Sequence, residues 1–249
     1  MFINKMGTYH SSYGINNQDV GFTIEMKDSN VNRVSVILDG CSEALHPDVG
    51  AGVFALLFKS MLQEMEHVSF DKIVNAAIGC FRHVMENVIN DEFDPSILED
   101  YMLFTLFILV EDDTSWRVAI IGDGCLIFQG NENKISILPI NHSETPPYMA
   151  YQYIPTCKAY TDEPSDVFMS MLGSLTFTFN KMFYKKNDFK AIGIASDGLM
   201  AIIGSNEEEI FKQLLVARNE AGMKRFINKL NLENNERGGF FKDDVTVII

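Results

Sequence analysis

Ala191-Ile192-Gly193-Ile194-Ala195-Ser196-Asp197-Gly198-Leu199 decides how the rest of the chain is read. A run of small and branched apolar residues, the composition of a buried strand, delivers an aspartate and a glycine where the chain has to turn. The same order recurs at Val34-Ser35-Val36-Ile37-Leu38-Asp39-Gly40 and at Val118-Ala119-Ile120-Ile121-Gly122-Asp123-Gly124. One Asp-Gly pair is an ordinary turn signal. Three of them after apolar runs, followed by Lys242-Asp243-Asp244-Val245-Thr246-Val247-Ile248-Ile249, set several carboxylates on one rim of a sheet. Clusters of oxygen donors of that kind suit hard divalent cations.

The totals narrow the class. With 249 residues, 47% hydrophobic and 22% charged, the chain has material for a substantial core, and no repeat or low-complexity linker divides it, so 1–249 reads as one soluble domain. A formal charge of -14 argues against nucleic acid, whose phosphates attract Lys- and Arg-rich faces. The cysteines Cys41, Cys80, Cys125 and Cys157 are far apart, with no zinc-knuckle spacing and no disulfide framework, which fits a reducing, cytoplasmic setting. Met1 to Gly7 lacks the pattern of a signal peptide, and the longest apolar run, Met102 to Val110, is too short for a membrane span.

Periodicity gives the elements. Strands are expected around 21–27 and 33–38. Two helices follow: one starts at Pro47-Asp48 and runs over 49–67, with apolar residues at Val53, Leu56, Leu57, Met61 and Met65, and the other spans 70–88. Strands are then expected at 102–110, 116–121, 125–129, 134–139, 175–180 and 189–195, helices at 207–216 and 221–230, and a last strand at 245–249. The stretch 142–166, with its prolines and aromatics, is irregular, and long aperiodic segments of compact domains often serve function. This order is not a βαβ alternation. It predicts an α+β fold, a four-layer αββα sandwich of two mainly antiparallel sheets flanked by helix pairs.

The order of these blocks resembles the metal-dependent type 2C serine/threonine protein phosphatases, in particular their compact bacterial branch. His10-Ser11-Ser12-Tyr13-Gly14-Ile15-Asn16-Asn17-Gln18-Asp19 resembles the family's opening motif, and Val36–Gly40 followed by Val49-Gly50-Ala51 the second. Phe104-Thr105-Leu106 with Ile121–Gly124 resembles the central hairpin, Ala195–Leu199 the fourth block, and Asp243-Asp244-Val245-Thr246-Val247 the last. The resemblance covers nearly the whole chain.

It implies hydrolysis of phosphoserine and phosphothreonine monoesters in proteins by a water that bridges two divalent cations, Mn²⁺ or Mg²⁺, with a third ion conceivable. Asp39 would join both ions and the Gly40 carbonyl would bind one. Asp197 and Asp243 would hold the second, Asp19 would act from an outer shell, and Asp123 would contribute to the third, weaker site. Asp39, Asp197 and Asp243 would therefore carry catalysis, with Asp244 supporting its neighbour. The implied partners are a phosphoprotein substrate and a cognate Ser/Thr kinase or its targets, with no nucleic acid and no membrane. Within the irregular 142–166 loop, His142 to Tyr160 lies where such enzymes carry a variable flap, so substrate choice is expected to reside there.

The chain departs from the family in its first motifs. Gly14 stands where many relatives carry an arginine that clamps phosphate bidentately. Cys41 stands where many carry a histidine able to protonate the leaving alcohol, and Gln18 replaces a glutamate. His10 and Lys5 are candidate phosphate contacts, and His46 a candidate acid. These departures leave open an alternative, a weakly active or inactive regulatory module on the same fold. An acidic protein whose Asp-Gly pairs are turns only is a further alternative.

Overall fold

The computed structural model describes residues 2–27, 29–88, 95–132, 134–142, 146–152, 179–201, 241–249 and the isolated positions 221, 222, 224, 225, 228 and 229. Two five-stranded sheets face one another, and every strand pair in them is antiparallel. The first is built from β1 (Phe2–Lys5), β10 (Val245–Ile248), β9 (Ala191–Ala195), β6 (Gly124–Gln129) and β7 (Ile135–Ile140), in that order. The second runs β2 (Asp19–Glu25), β3 (Val31–Gly40), β4 (Phe104–Asp112), β5 (Ser115–Ile121) and β8 (Asn180–Lys185).

Strict alternation splits the apolar residues of the second sheet between two cores. Val34, Val36, Leu38, Leu106, Ile108, Val110, Ala119 and Ile121 pack under the helices. The intervening Ile37, Phe107, Leu109, Trp116, Val118 and Ile120 meet Leu126, Phe128, Ile192, Ile194 and Ile248 between the sheets. With both faces covered, the strands read as nearly continuous apolar runs, which is why they were recognisable in sequence. The α+β class and the antiparallel sheets match the expectation. Of the outer layers, α2 (Pro47–Glu64) and α3 (Phe70–Val88) cover the second sheet, while 207–216 and most of 221–230 lie outside the described residues.

Some expectations need correction. Helix α2 forms where predicted, but the stripe it buries is Gly50, Ala51, Phe54, Ala55, Phe58 and Leu62. Val53, Leu56, Leu57 and Met61 are exposed, because a helix apolar on several faces does not announce which one is covered. Of the strand expected at 175–180 only its end is described, and β8 begins there and runs on to Lys185. Elements β1, α1 (Thr8–Tyr13) and α4 (Pro95–Tyr101) were not anticipated. Tyr148 and Tyr151, at the start of the irregular stretch, are buried in the helix-side core, with a short 3₁₀ turn over Met149–Gln152. No helix among the described residues is long and apolar enough to cross a membrane. Cys41, Cys80 and Cys125 are free thiols, and Cys157 lies outside the described residues.

Candidate active site

The strand registers bring the acidic blocks to one end of the sandwich. Asp19 opens β2 directly opposite Asp39 near the end of β3, and Asp39 in turn faces Thr105 on β4. Gly122-Asp123-Gly124 crosses from β5 in one sheet to β6 in the other. Gly122 and Gly124 take φ values of 94° and 149°, which other residues adopt only under strain. Asp197 follows β9 and Asp243-Asp244 precedes β10, whose Val247 and the Cys125 of β6 flank Ala195 on either side. The result is a cleft of about 290 Å³ lined by Asp39, Gly40, Asp123, Asp197, Asp243 and Asp244, together with His10, Gln18, Cys41, Ser42, Glu43, Thr105, Pro146 and Tyr148.

Each carboxylate has a different setting. Asp19 is buried: its Oδ2 accepts a 2.7 Å hydrogen bond from Ser196 Oγ, and its Oδ1 has no partner. Ser196 Oγ itself accepts from the Thr246 N–H at 2.9 Å, so one hydroxyl ties β10 and the end of β9 to the opposite sheet. Burial pushes the Asp19 carboxyl up to about 7, against the lowering effect of Ser196 and Asp39. Asp39 keeps some surface open to the cleft, yet the protein around it, then the charges of Asp19 and Asp197, hold its carboxyl well above the usual range. Asp197 is the most open, and partial burial followed by the charge of Asp123 raises it. Burial also raises Asp123, opposed by His142, whose Nε2 lies 3.2 Å from the Gly122 carbonyl.

Asp244 does different work from its neighbour. It is buried and accepts 2.7 Å bonds from the Gly7 N–H at Oδ1 and the Gln18 N–H at Oδ2, where His10 Nδ1 also lies at 2.7 Å. Asp243 is 47% exposed in its side chain and accepts the Asp244 N–H at 2.8 Å, leaving its outer oxygen to the cleft. His10, expected as a phosphate contact, is thus buried on α1 with one ring nitrogen held by Asp244, although its edge still lines the cleft. His46 immediately precedes α2 without a side-chain capping bond, exposed and against the Tyr101 ring. Gly14 ends α1 in the left-handed region at φ 70°, its N–H on the His10 carbonyl, and does not line the cleft. The left-handed backbone at this helix end favours a glycine.

Carboxylates that raise one another's pKa are short of positive charge, and the unpartnered Oδ1 of buried Asp19 points the same way. Among the described residues no three His, Cys, Asp or Glu side chains are already gathered into a cation-binding set. The groups share one cleft and feel one another's charge without that preassembly. Oxygen-only donors of this kind fit Mg²⁺ or Mn²⁺, which keep several waters and need few protein ligands. Ser196, Thr105 and Tyr148 lie within stretches singled out in the sequence, but nothing there gave them a part in the site. Ser196 carried a signal in its position, since it sits between the last strand residue and Asp197.

Two predictions follow from this geometry. Asp19 binds its proton more tightly folded, near 7, than unfolded, near 3.8. Without divalent cations, its contribution to stability is therefore greatest below about pH 4 and is lost as pH rises through about 7. Melting followed across that window in a chelator should fall with rising pH, more in wild type than in Asp19→Asn; identical profiles would contradict the buried carboxyl. At Gly198, a Cβ would lie 1.7 Å from the Asp244 carbonyl oxygen. Gly198→Ala should therefore separate the Asp197 turn from the Asp243 block at a cost of about 1–3 kcal/mol, or several degrees of melting temperature. Unchanged melting would show that the two segments are not in contact.

Comparison with known proteins agrees with this architecture. The family model for protein phosphatase 2C matches residues 6–236. That span stops short of Asp243 and Asp244, whose place in the site rests on the geometry above. No curated protein matches the chain by sequence. A serine/threonine phosphatase from Staphylococcus aureus superposes with a TM-score of 0.62 at 18% identity, covering 99% of this chain and 92% of that one. The serine/threonine phosphatase of S. agalactiae gives 0.61 at 15% identity, with 99% and 96% covered. The PP2C phosphatase domain of SpoIIE from Bacillus subtilis, with a fragment of its regulatory domain, gives 0.55 at 13%, with 99% and 60% covered. At these identities the structural likeness establishes the fold.

Proposed function

The chain belongs to the protein phosphatase 2C family, and from that premise we propose that residues 1–249 form one catalytic domain that hydrolyses phosphoserine and phosphothreonine esters in proteins with divalent cations. The observation that carries this reading is the convergence of Asp39 from one sheet with Asp123, Asp197 and Asp243 from the other on a single cleft. Turns alone have no need of carboxylates that repel one another in a partly buried space. In this reading Asp39 would join two Mn²⁺ or Mg²⁺ ions and the Gly40 carbonyl would hold one of them. Asp197 and Asp243 would hold the other, and Asp123 with Asp197 would contribute to a third. When bound, the cations acidify a water and offset the charge of the phosphate ester.

The chain's own groups prepare the site for that chemistry. Ser196 fixes the Asp19 carboxylate, which stands in register with Asp39 and holds its outer shell. Asp244 fixes the loops that carry Gln18 and Asp243. Tyr148, whose hydroxyl burial keeps protonated, closes the cleft beside Cys41.

Titration with Mn²⁺, followed by calorimetry, melting and turnover of a phosphothreonine peptide, tests the proposal. At a hundredfold excess over Kd, binding to the folded state alone contributes about 2.7 kcal/mol, which raises melting by about 5–10 °C. Binding with turnover supports a phosphatase. Binding without turnover indicates a regulatory module on the same fold, and absence of both removes the metal reading.

A further inference from the structure

The cleft has to receive a phosphate dianion, yet its lining is rich in carboxylates and, among the described residues, includes no Lys or Arg. A second pocket of about 380 Å³ adjoins it. The two share His10, Ser42 and Asp243, and the second adds Tyr9, Ala201 and Lys242. Lys242 is the fixed positive charge at this junction. Its backbone is held on both sides: its N–H donates to the Ala201 carbonyl at 3.1 Å, and its carbonyl accepts the Tyr9 N–H at 3.1 Å. Its side chain is exposed and, among the described residues, has no ion-pair partner. Lys181 and Lys186, by contrast, rest on Asp71 and Glu111 at 3.0 and 2.8 Å. The anchored backbone places the stem beside the cleft, and the flexible four-carbon chain lets the ammonium reach an anion there.

We infer that Lys242 anchors the substrate phosphate from this side pocket, supplying the cationic side chain that the described cleft lining does not include and acting beside the divalent cations of the phosphatase reading. The inference rests on the phosphatase reading for its substrate. A charged contact of this kind already exists in the ground state, so its loss appears mainly in KM. It also weakens the binding of inorganic phosphate, which needs no turnover to be measured.

The experiment uses the Mn²⁺-loaded full chain and the variants Lys242→Ala and Lys242→Arg. For Lys242→Ala, KM for p-nitrophenyl phosphate and the dissociation constant of inorganic phosphate should both rise about tenfold, the loss of one charge-assisted contact. The turnover number should stay within about twofold, since the contact is equally present in both states. Affinity for Mn²⁺ should be unchanged, and Lys242→Arg should restore phosphate binding. Unaltered phosphate binding and KM in Lys242→Ala would overturn the inference. A defect confined to phosphopeptides with acidic flanking residues, with p-nitrophenyl phosphate handled normally, would also overturn it and assign the pocket to a neighbouring carboxylate. If the wild type binds phosphate through Lys242 but turns nothing over, this inference stands and the phosphatase reading fails. A wild type that hydrolyses the phosphothreonine peptide but binds no inorganic phosphate removes this inference and leaves the phosphatase reading.

Discussion

Asp39→Asn is expected to lower phosphatase turnover by more than about 100-fold while leaving the cation-free protein at least as stable as wild type. The size of the activity loss follows from position. Mutating a partner that only orients a metal ligand costs about 10–100-fold, and Asp39, proposed above as a ligand common to two ions, should exceed that. The stability effect has the opposite sign for a physical reason. Burial, then Asp19 and Asp197, hold the Asp39 carboxyl well above the usual range, so its ionised form disfavours the folded state. A neutral amide of the same shape removes that repulsion and keeps the strand register opposite Asp19 and Thr105. Turnover at saturating Mn²⁺ and melting in chelator read the two effects separately. Wild-type turnover would remove Asp39 from the metal site, and a large drop in chelator melting would make it a structural residue.

Much of this site was legible in the sequence because it lies at strand ends. An apolar run followed by Asp-Gly states both the element and the place where it stops, and that local grammar located Asp39, Asp123 and Asp197. The elements that escaped notice lack a local signal. The six residues of α1, Thr8–Tyr13, have little helix preference of their own. That helix is docked by its first turn, where the Thr8 and Tyr9 N–H groups donate to the Phe241 and Lys242 carbonyls across almost the whole chain. Strand β8, Asn-Lys-Met-Phe-Tyr-Lys, is a half-exposed edge strand whose polar residues hide its period. The bonds from Ser196 to Asp19 and from Gly7, Gln18 and His10 to Asp244 span 177 to 237 positions of sequence. No pattern within a window of sequence encodes such a contact, since it exists only once both sheets have formed.

That long-range tie yields the second large effect. Asp244→Ala should destabilise the fold by about 3–5 kcal/mol, as removal of one partner from a buried charged cluster does. The change leaves the N–H groups of Gly7 and Gln18 and the ring of His10 without their common acceptor in a site closed to water. At about 2–4 °C per kcal/mol for a chain of this size, melting should fall by about 10 °C. Asp244→Asn should fall between, because an amide offers one accepting oxygen where the carboxylate used two. Its neighbour should behave in the opposite way. Asp243 is 47% exposed and accepts only the Asp244 N–H, so Asp243→Ala should melt close to wild type yet lose Mn²⁺ affinity and turnover. If Asp244→Ala keeps wild-type melting, or if Asp243→Ala proves the less stable of the two, the division of labour is misassigned. The expected reversal, stability lost at one position and metal chemistry at the next, follows from what each carboxylate meets: Asp244 is buried and holds the N–H groups of Gly7 and Gln18 and the ring of His10, whereas Asp243 is half open to the cleft.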